Sequence, residues 1–184
     1  MSFLKLLTVL CIIIFHEVLI AHPHMFIEYS TNVVMSENGL EGLQMTWYFD
    51  DMFSWQVVID YTEDEDFNIS PEENKILEKE AFSYLVESGY FAEFFVDSQQ
   101  YEVKEVSNFK AECIDETLVY HFFIPWRISA GTKPVHLKIC FFDETIFCEI
   151  VPRKESFQVN AVDGITTEYS MPDRITYQFN FWKE

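Results

Sequence analysis

The pattern of apolar and polar positions predicts mainly β-strands. The segment HMFIEYSTNVVM (24–35) alternates imperfectly between apolar and polar residues and is rich in β-branched and aromatic ones. The turn sequence SENG (36–39) comes next, and LEGLQMTWYF (40–49) has the pattern of a partner strand. We therefore expect the first two strands to form a hairpin.

Helical patterns occur between residues 51 and 89. DMFSWQVVIDY (51–61) indicates a short helix, and the acidic loop TEDEDFN (62–68) follows it. SPEENKILEKEAFSYLVESG (70–89) begins with an N-cap serine, a proline at the first helical position and a capping box, and it ends at a glycine. It predicts one helix whose apolar stripe consists of Ile76, Leu77, Phe82, Leu85 and Val86.

The remaining chain has the pattern of short strands separated by turn residues. Because no helices lie between these strands, antiparallel pairing in two layers is favoured. The predicted fold class is α+β, mainly an antiparallel β-sandwich or open barrel with a helical insertion after the second strand. The predicted strands are YFAEFFVD (90–97), YEVKEVSNFKAEC (101–113), TLVYHFFIPW (117–126), PVHLKICFFD (134–143), TIFCEIV (145–151), SFQVNAV (156–162) and RITYQFNFW (174–182).

Length and charge narrow the choice of function. A chain of 184 residues with 49% hydrophobic residues is enough for one domain. The net charge of −19 argues against nucleic acid and anionic membrane surfaces as partners, and it attracts cations.

Residues 1–21 have the form of an export signal. Lys5 precedes the apolar run LLTVLCIIIF (6–15), and cleavage after Ala21 would leave one exported domain, 22–184, in the periplasm or outside the cell. An uncleaved amino-terminal anchor is the alternative. Three cysteines would remain, and two of them flank a hairpin predicted in CFFDETIFC (140–148). Disulfide pairing and buried thiols both stay open for Cys113, Cys140 and Cys148.

The sequence HPH (22–24) is the first candidate site. After cleavage, His22 would offer an amine and an imidazole to one ion, and His24 would add a third nitrogen, a donor set suited to zinc, copper or nickel. Pro23 has no amide hydrogen, so a square-planar site built on two deprotonated backbone amides is excluded. Such a site would need side chains from elsewhere in the fold. Alternatively, Pro23 starts an edge strand and both histidines are solvated.

Carboxylates near turns supply further candidates. Asp50 and Asp51 lie in WYFDDMFS (47–54) at a strand end, and Asp143 and Glu144 lie in FFDETIF (141–147). Caps and solvated turn residues are the common roles for such carboxylates.

The acidic loop can be aligned with a calcium loop over TEDEDFNISPEE (62–73), with Asp64, Asp66, Asn68 and Glu73 in ligand positions. Thr62 replaces the initial aspartate, and Phe67 stands where glycine is needed for the sharp turn. We expect calcium binding here to be weak or absent.

The sequence contains no signature of an enzyme. It lacks a glycine-rich phosphate loop, a CxxC pair, HExxH and GxSxG. His121 and His136 fall in predicted strands and are interpreted as partnered sheet histidines. We therefore expect a protein that is not an enzyme.

Four segments, taken in order, carry a resemblance to a known family. AHPHMFIEYS after the leader, WYFDDMFS, the damaged calcium-type loop running into ISPEE, and FFDETIF resemble an uncharacterised bacterial periplasmic family described as a component of ABC-type transport systems. The resemblance spans about residues 21–150. Glu144 departs from the family, which usually has proline there, as do Thr62 and Phe67 in the acidic loop.

Members of that family are often found beside, or fused to, nickel/cobalt-type membrane transporters. The resemblance therefore implies a periplasmic metal-handling accessory of a membrane transporter subunit, and it matches His22, His24, Asp50, Asp51 and Asp143 to the family's recurrent polar residues. We infer that His22 and His24, with one or more of the three aspartates, are metal ligands. Nitrogen and carboxylate ligands together suit zinc or nickel. The alternative is a periplasmic structural or protein-interaction module that binds no metal.

Overall fold

The fold is a sandwich of two five-stranded sheets, seen in a computed structural model that describes residues 24–63 and 66–184. The first sheet has the strand order β5-β6-β2-β1-β8 and the second has the order β4-β3-β7-β10-β9. The strands are β1 (Met25–Ser36), β2 (Gly39–Phe49), β3 (Ala92–Val96), β4 (Gln99–Tyr101), β5 (Ser107–Ile114), β6 (Thr117–Ser129), β7 (Val135–Phe141), β8 (Cys148–Val159), β9 (Ile165–Ser170) and β10 (Thr176–Lys183).

The strand pairing confirms the predicted fold class. β1 and β2 form the expected antiparallel hairpin, with Ile27 opposite Phe49. The other pairs are antiparallel too, except that β1 runs parallel to β8, with Met25 opposite Cys148. Because the strands are divided between two separate sheets, the sandwich applies and the open barrel does not.

Four details of the predicted strands were wrong. YEVKEVSNFKAEC is not one strand, because Tyr101 ends β4 in the second sheet and β5 begins at Ser107 in the first. TIFCEIV and SFQVNAV belong to the single strand β8, whose pairing with β1 shifts around Glu155 at a φ of 59°. A polar run that bulges within a strand resembles a break in the sequence. CFFDETIFC is not a hairpin, because β7 and β8 belong to different sheets. Strand β9 was not predicted, since ITTEYS is short and mostly polar.

The thiols of Cys113, Cys140 and Cys148 are all unpaired. Burial raises the pKa of the Cys148 thiol to about 12, with a smaller effect from nearby Asp143. Cys140 and Cys148 therefore match the buried-thiol alternative and not the disulfide, and Cys113 is half-buried.

The helical insertion starts as predicted and then changes its geometry. Helix α1 spans Asp51–Tyr61, and helix α2 spans Pro71–Leu77. A π-helical turn (Glu78–Phe82) and a 3-10 segment (Ser83–Phe91) follow α2, so the single helix predicted to Gly89 was wrong. A π-turn inserts an extra residue and rotates the helix face. In this arrangement Leu77 and Phe82 are buried, while Ile76 and Val86 of the same predicted stripe are exposed.

Aromatic side chains fill the space between the sheets. Trp47 of β2 is buried against Phe122 of β6 at a centroid distance of 4.8 Å. Tyr29 of β1 contacts Phe141 of β7 at 4.4 Å and joins the two layers. In the described part of the chain, no helix has the length and apolar character that a membrane crossing requires.

Candidate functional site

Three segments that are far apart in the sequence meet where β1 begins. The backbone N–H of His24 donates to the carbonyl of Phe147, over 2.8 Å, in the turn before β8. Two residues later, the N–H of Phe26 donates to Oδ2 of Asp50 at 2.7 Å. The structure therefore brings His24, the last residue of HPH, to the same end of the molecule as the WYFDDMFS and FFDETIF segments.

Asp50 joins the start of helix α1 to β1. Its Oδ1 accepts the N–H of Phe53 at 2.9 Å, which makes Asp50 the N-cap of the helix. Its Oδ2 accepts the N–H of Phe26, and its own N–H donates to the Phe26 carbonyl at 3.1 Å. Both carboxylate oxygens are thus bound to backbone donors, so the side chain has a structural role whether or not it also binds an ion.

A buried serine holds the same end of α1 against the first sheet. Ser54 is fully buried; its hydroxyl donates to the Asp50 carbonyl at 2.8 Å and accepts the N–H of Leu118 in β6 at 2.9 Å. Because a buried backbone N–H needs an acceptor, this hydroxyl fixes where the helix meets the sheet.

Asp143 organises the turn between β7 and β8. Its Oδ2 accepts the N–H of Cys148 at 2.8 Å, and its Oδ1 accepts both the N–H and the hydroxyl of Thr145, at 2.9 and 2.7 Å. Partial burial acts to raise the pKa of the Asp143 carboxyl, but the hydrogen bonds from Cys148, Thr145 and Phe147 outweigh it and lower that pKa. Asp143 is therefore an anion at neutral pH.

The other candidate residues have fewer structural constraints. Asp51 is the first residue of α1 and is exposed. His24 is exposed as well, and its imidazole lies 5.3 Å from the Phe147 ring, between centroids. His22 lies outside the described residues. Binding of one ion by both imidazoles therefore stays a prediction.

Whether these residues can coordinate a metal ion depends on His22. Within residues 24–63 and 66–184, no three histidine, cysteine, aspartate or glutamate side chains are grouped as a metal site requires. A carboxylate oxygen has two lone pairs, so Asp50 and Asp143 each keep acceptor capacity beyond their backbone hydrogen bonds. The described residues thus place the exposed imidazole of His24 at the same end of the sandwich as Asp50 and Asp143 but do not group these side chains as ligands.

The calcium-type loop is used for capping. Glu73 accepts the N–H of Ser70 at 2.7 Å and the N–H of Glu63 at 2.9 Å, and its own N–H donates to the Ser70 hydroxyl at 3.2 Å, which confirms the predicted capping box. These contacts, chiefly with Ser70, lower the pKa of Glu73. Asp66 accepts the N–H of Asn68 at 2.9 Å. Asp64 lies outside the described residues, and calcium binding stays a prediction.

The two strand histidines have side-chain partners. His121 lies between the Thr46 hydroxyl, 3.1 Å from its Nδ1, and the Glu112 carboxylate, 3.0 Å from its Nε2. His136 places its Nδ1 2.9 Å from Oδ1 of Asn180. Both arrangements agree with the interpretation of these residues as partnered sheet histidines.

Sequence reasoning missed an acidic depression beside the Asp143 turn. This depression, of about 780 Å³, extends from the Asp143 turn to the 3-10 segment and β4. Its carboxylates come from five positions, Glu87, Glu93, Glu102, Asp143 and Glu144. They belong to four separate segments of the chain, so no local pattern marks them as neighbours. Only the excess of acidic residues in the composition suggested that such a region would form.

Comparison with known proteins places the chain among uncharacterised relatives. An uncharacterised protein of Haemophilus influenzae is 28% identical over 109 residues, which is 58% of this chain and 50% of that protein. The chain thus matches about half the length of that relative. A family model described as "Protein of unknown function (DUF1007)" matches residues 7–176. Because this match covers most of the sequence, the chain belongs to the DUF1007 family of proteins of unknown function.

Proposed function

We propose that this protein binds a divalent transition metal ion, zinc or nickel, at the start of β1 and passes it to a membrane transporter. His22 and His24 are the proposed nitrogen ligands, and one or more of Asp50, Asp51 and Asp143 complete the coordination. Mixed nitrogen and carboxylate ligands suit both metals. In this proposal the ion is cargo, and the protein is an exported accessory that catalyses no reaction.

The observation that carries the proposal is the hydrogen bond from the His24 N–H to the Phe147 carbonyl. This bond places the exposed imidazole of His24 beside the turn that Asp143 organises. The lowered pKa of Asp143 keeps a negative charge in that turn at neutral pH. Histidine and carboxylate groups from distant segments therefore lie on the same end of the sandwich.

The acidic surface favours the approach of a cation. The 780 Å³ depression next to the Asp143 turn has five carboxylates and no lysine or arginine in its described lining. Clustered charge of one sign raises the local concentration of the opposite ion, although salt screens this effect over about 8–10 Å. The resemblance to proteins encoded beside nickel/cobalt transporters supports the transporter as the receiving partner.

The test is a metal titration of protein purified after export. Intact mass first locates the amino terminus, and zinc and nickel are then titrated in competition with a chromophoric chelator. We expect one site per chain, with binding lost in His22→Ala/His24→Ala and kept in the control His136→Ala, an exposed histidine in the other sheet. Binding that is equal in all three proteins would contradict the proposal.

One observation favours a second function, that of a protein-interaction module without a metal. Asp50 and Asp143 both have backbone N–H partners for each carboxylate oxygen, which accounts for the two aspartates without any ion. Under this alternative, the three segments serve to fix the start of β1 and α1. A wild-type protein that binds neither zinc nor nickel after export would favour it.

A further inference from the structure

The outward face of helix α1 is apolar although it faces solvent. Met52, Trp55 and Ile59 keep 69%, 47% and 52% of their surface exposed. At 3.6 residues per turn, these three side chains fall within an arc of about 60° along two turns of the helix. They form one continuous stripe, which we call the α1 stripe.

The opposite face of the helix already packs on the protein. Ser54, Val57 and Val58 are buried, and they lie on the side of the helix away from the α1 stripe. A surface helix covered on one side normally has polar residues on the other. Helix α1 is apolar on both sides, a composition typical of a helix that is covered twice.

The central residue of the stripe is held in place. The Trp55 ring makes an edge contact with Phe67, with 4.8 Å between centroids and 89° between planes. Phe67 is the residue that occupies the glycine position of the calcium-type loop, so the departure that weakens calcium binding provides a support for Trp55. Exposed tryptophan that is held by a neighbour loses little conformational freedom when a partner covers it.

Negative charge flanks the stripe on the helix and beyond its end, while Lys75 and Lys110 line a depression on the Phe67 side, where Lys110 pairs with Glu112. Asp51 lies on one side of it and Asp60 on the other, and the sequence has no lysine or arginine between Lys5 and Lys75. Beyond the end of the helix, the surface continues into a depression of about 540 Å³ that contains exposed Ile76. The carboxylates that line this depression are Asp60, Glu63, Asp66, Glu72, Glu73 and Glu80, and its described lining has no basic residue.

We propose that the α1 stripe is a docking surface for a cationic amphipathic segment of another polypeptide. The apolar side of that segment would cover Met52, Trp55 and Ile59, and its lysines or arginines would face the surrounding carboxylates. Apolar anchors with opposite charges around them are a recurrent mode of helix recognition. This inference rests on α1 and its surroundings, and it does not depend on metal binding at His22 and His24.

Charge decides between the possible occupants. A second copy of this chain would bring another net charge of −19, and an anionic lipid surface would be repelled in the same way. The basic residue in the depression beside the start of α1 is Arg153, whose Nε is 3.4 Å from a Glu28 oxygen and whose guanidinium lies over the Tyr48 ring. It is therefore already paired with a carboxylate of this protein.

The experiment compares three synthetic peptides that share one helical apolar pattern with spacing i, i+3 and i+7. Their remaining positions carry lysine, glutamine or glutamate, and binding to the full exported chain is measured by fluorescence anisotropy of a label on the peptide. We expect the lysine peptide to bind most tightly and the glutamate peptide least. Raising the salt concentration from 0.05 to 0.5 M should weaken the binding of the lysine peptide several-fold, since screening shortens the range of charge attraction.

A pair of variants separates the α1 stripe from general attraction between opposite charges. Met52→Ser/Ile59→Ser should lower the affinity for the lysine peptide at least tenfold, while Tyr84→Ser/Met171→Ser, which changes exposed apolar residues elsewhere, should not. Circular dichroism and urea unfolding establish that both variants are folded.

Several outcomes would overturn the proposal. The first is that no peptide binds the wild-type chain. The second is that the Met52→Ser/Ile59→Ser variant binds the lysine peptide as tightly as the wild-type chain does. The third is that the glutamine peptide binds more tightly than the lysine peptide. The proposal would also be overturned if the wild-type chain bound the three peptides equally and instead self-associated or bound phosphatidylcholine vesicles through the α1 stripe. Loss of that self-association or vesicle binding in Met52→Ser/Ile59→Ser would identify the stripe as the surface involved.

Discussion

Replacing Asp50 by alanine should destabilise the protein without any metal present. The substitution removes the N-cap of α1, where such losses cost about 1 kcal/mol. It also removes the acceptor for the Phe26 N–H, a bond to a charged group worth about 1.5–3 kcal/mol. Because Phe26 is 47% exposed, water can replace part of that bond, and we take about 1.5 kcal/mol for it. Together with the cap, the free energy of unfolding should fall by about 2.5 kcal/mol.

The assay is urea unfolding followed by circular dichroism, in the presence of a chelator. At about 2–4 °C per kcal/mol for a chain of this size, the same loss lowers Tm by about 5–10 °C. Asp50→Asn keeps one carbonyl oxygen and should lose about half as much. The neighbouring Asp51→Ala removes only a favourable charge at the helix start, which is worth about 0.3–1 kcal/mol.

The reasoning would be refuted by equal stability of Asp50→Ala and Asp51→Ala, or by a loss below about 1 kcal/mol in Asp50→Ala. A gain in stability would be still more informative. It would mean that the carboxylate is held in an unfavourable position when no ion is present, as expected for a metal ligand and not for a cap.

Three further predictions concern the same end of the molecule. Ser54→Ala should cost about 1–3 kcal/mol in urea unfolding, because the buried N–H of Leu118 loses its acceptor. The lowered pKa of Asp143 contributes stability above the unfolded-state pKa of about 3.9, and this contribution is lost as the pH falls through the folded-state value. Wild-type and Asp143→Asn urea midpoints should therefore differ at pH 7 and approach each other as the pH falls below the unfolded-state value. The thiols of Cys140 and Cys148 are buried and unpaired, so intact mass should show no disulfide between them, and alkylation should be slow until urea unfolds the chain.

Each of these expectations has an outcome that contradicts it. A Ser54→Ala loss no larger than that of Ser83→Ala, an exposed hydroxyl that bonds only the Lys79 carbonyl, would mean that the Leu118 N–H finds another acceptor. Parallel pH profiles for wild type and Asp143→Asn would mean that the turn does not lower the pKa of that carboxyl. A reducible cross-link between Cys140 and Cys148 in a peptide map would mean that the strands bearing these thiols approach more closely in solution.

Local signals in the sequence identified the elements around the candidate site but not their contacts. The apolar alternation of residues 24–49 predicted the first hairpin, and the Ser70 and Glu73 pair predicted the capping box. WYFDDMFS was expected to offer a carboxylate at a strand end, and Asp50 does lie there. Its partners, Phe53 at the start of α1 and Phe26 in β1, follow from a helix start and from a pairing that no short window of sequence contains.

The errors have a common physical cause. A local pattern does not distinguish a bulge from a strand break, so β8 was divided into two strands at its polar run. It also does not distinguish a turn within a sheet from a crossing between sheets, so the segment from Cys140 to Cys148 was interpreted as a hairpin. In both cases the decision depends on β1, which pairs with β8 from more than 100 residues away.

The sequence by itself determined that this protein is acidic, rich in aromatic residues and of α+β class, with mainly antiparallel strands and a helical insertion, because alternation, caps and charge depend on neighbouring residues alone. It also marked the histidines and carboxylates as candidates. Only the tertiary structure decided that the start of β1, the start of α1 and the Asp143 turn lie together, and that the outer side of α1 has no cover in the described chain. Those features depend on contacts between distant segments, whose geometry is set by the packing of the whole fold.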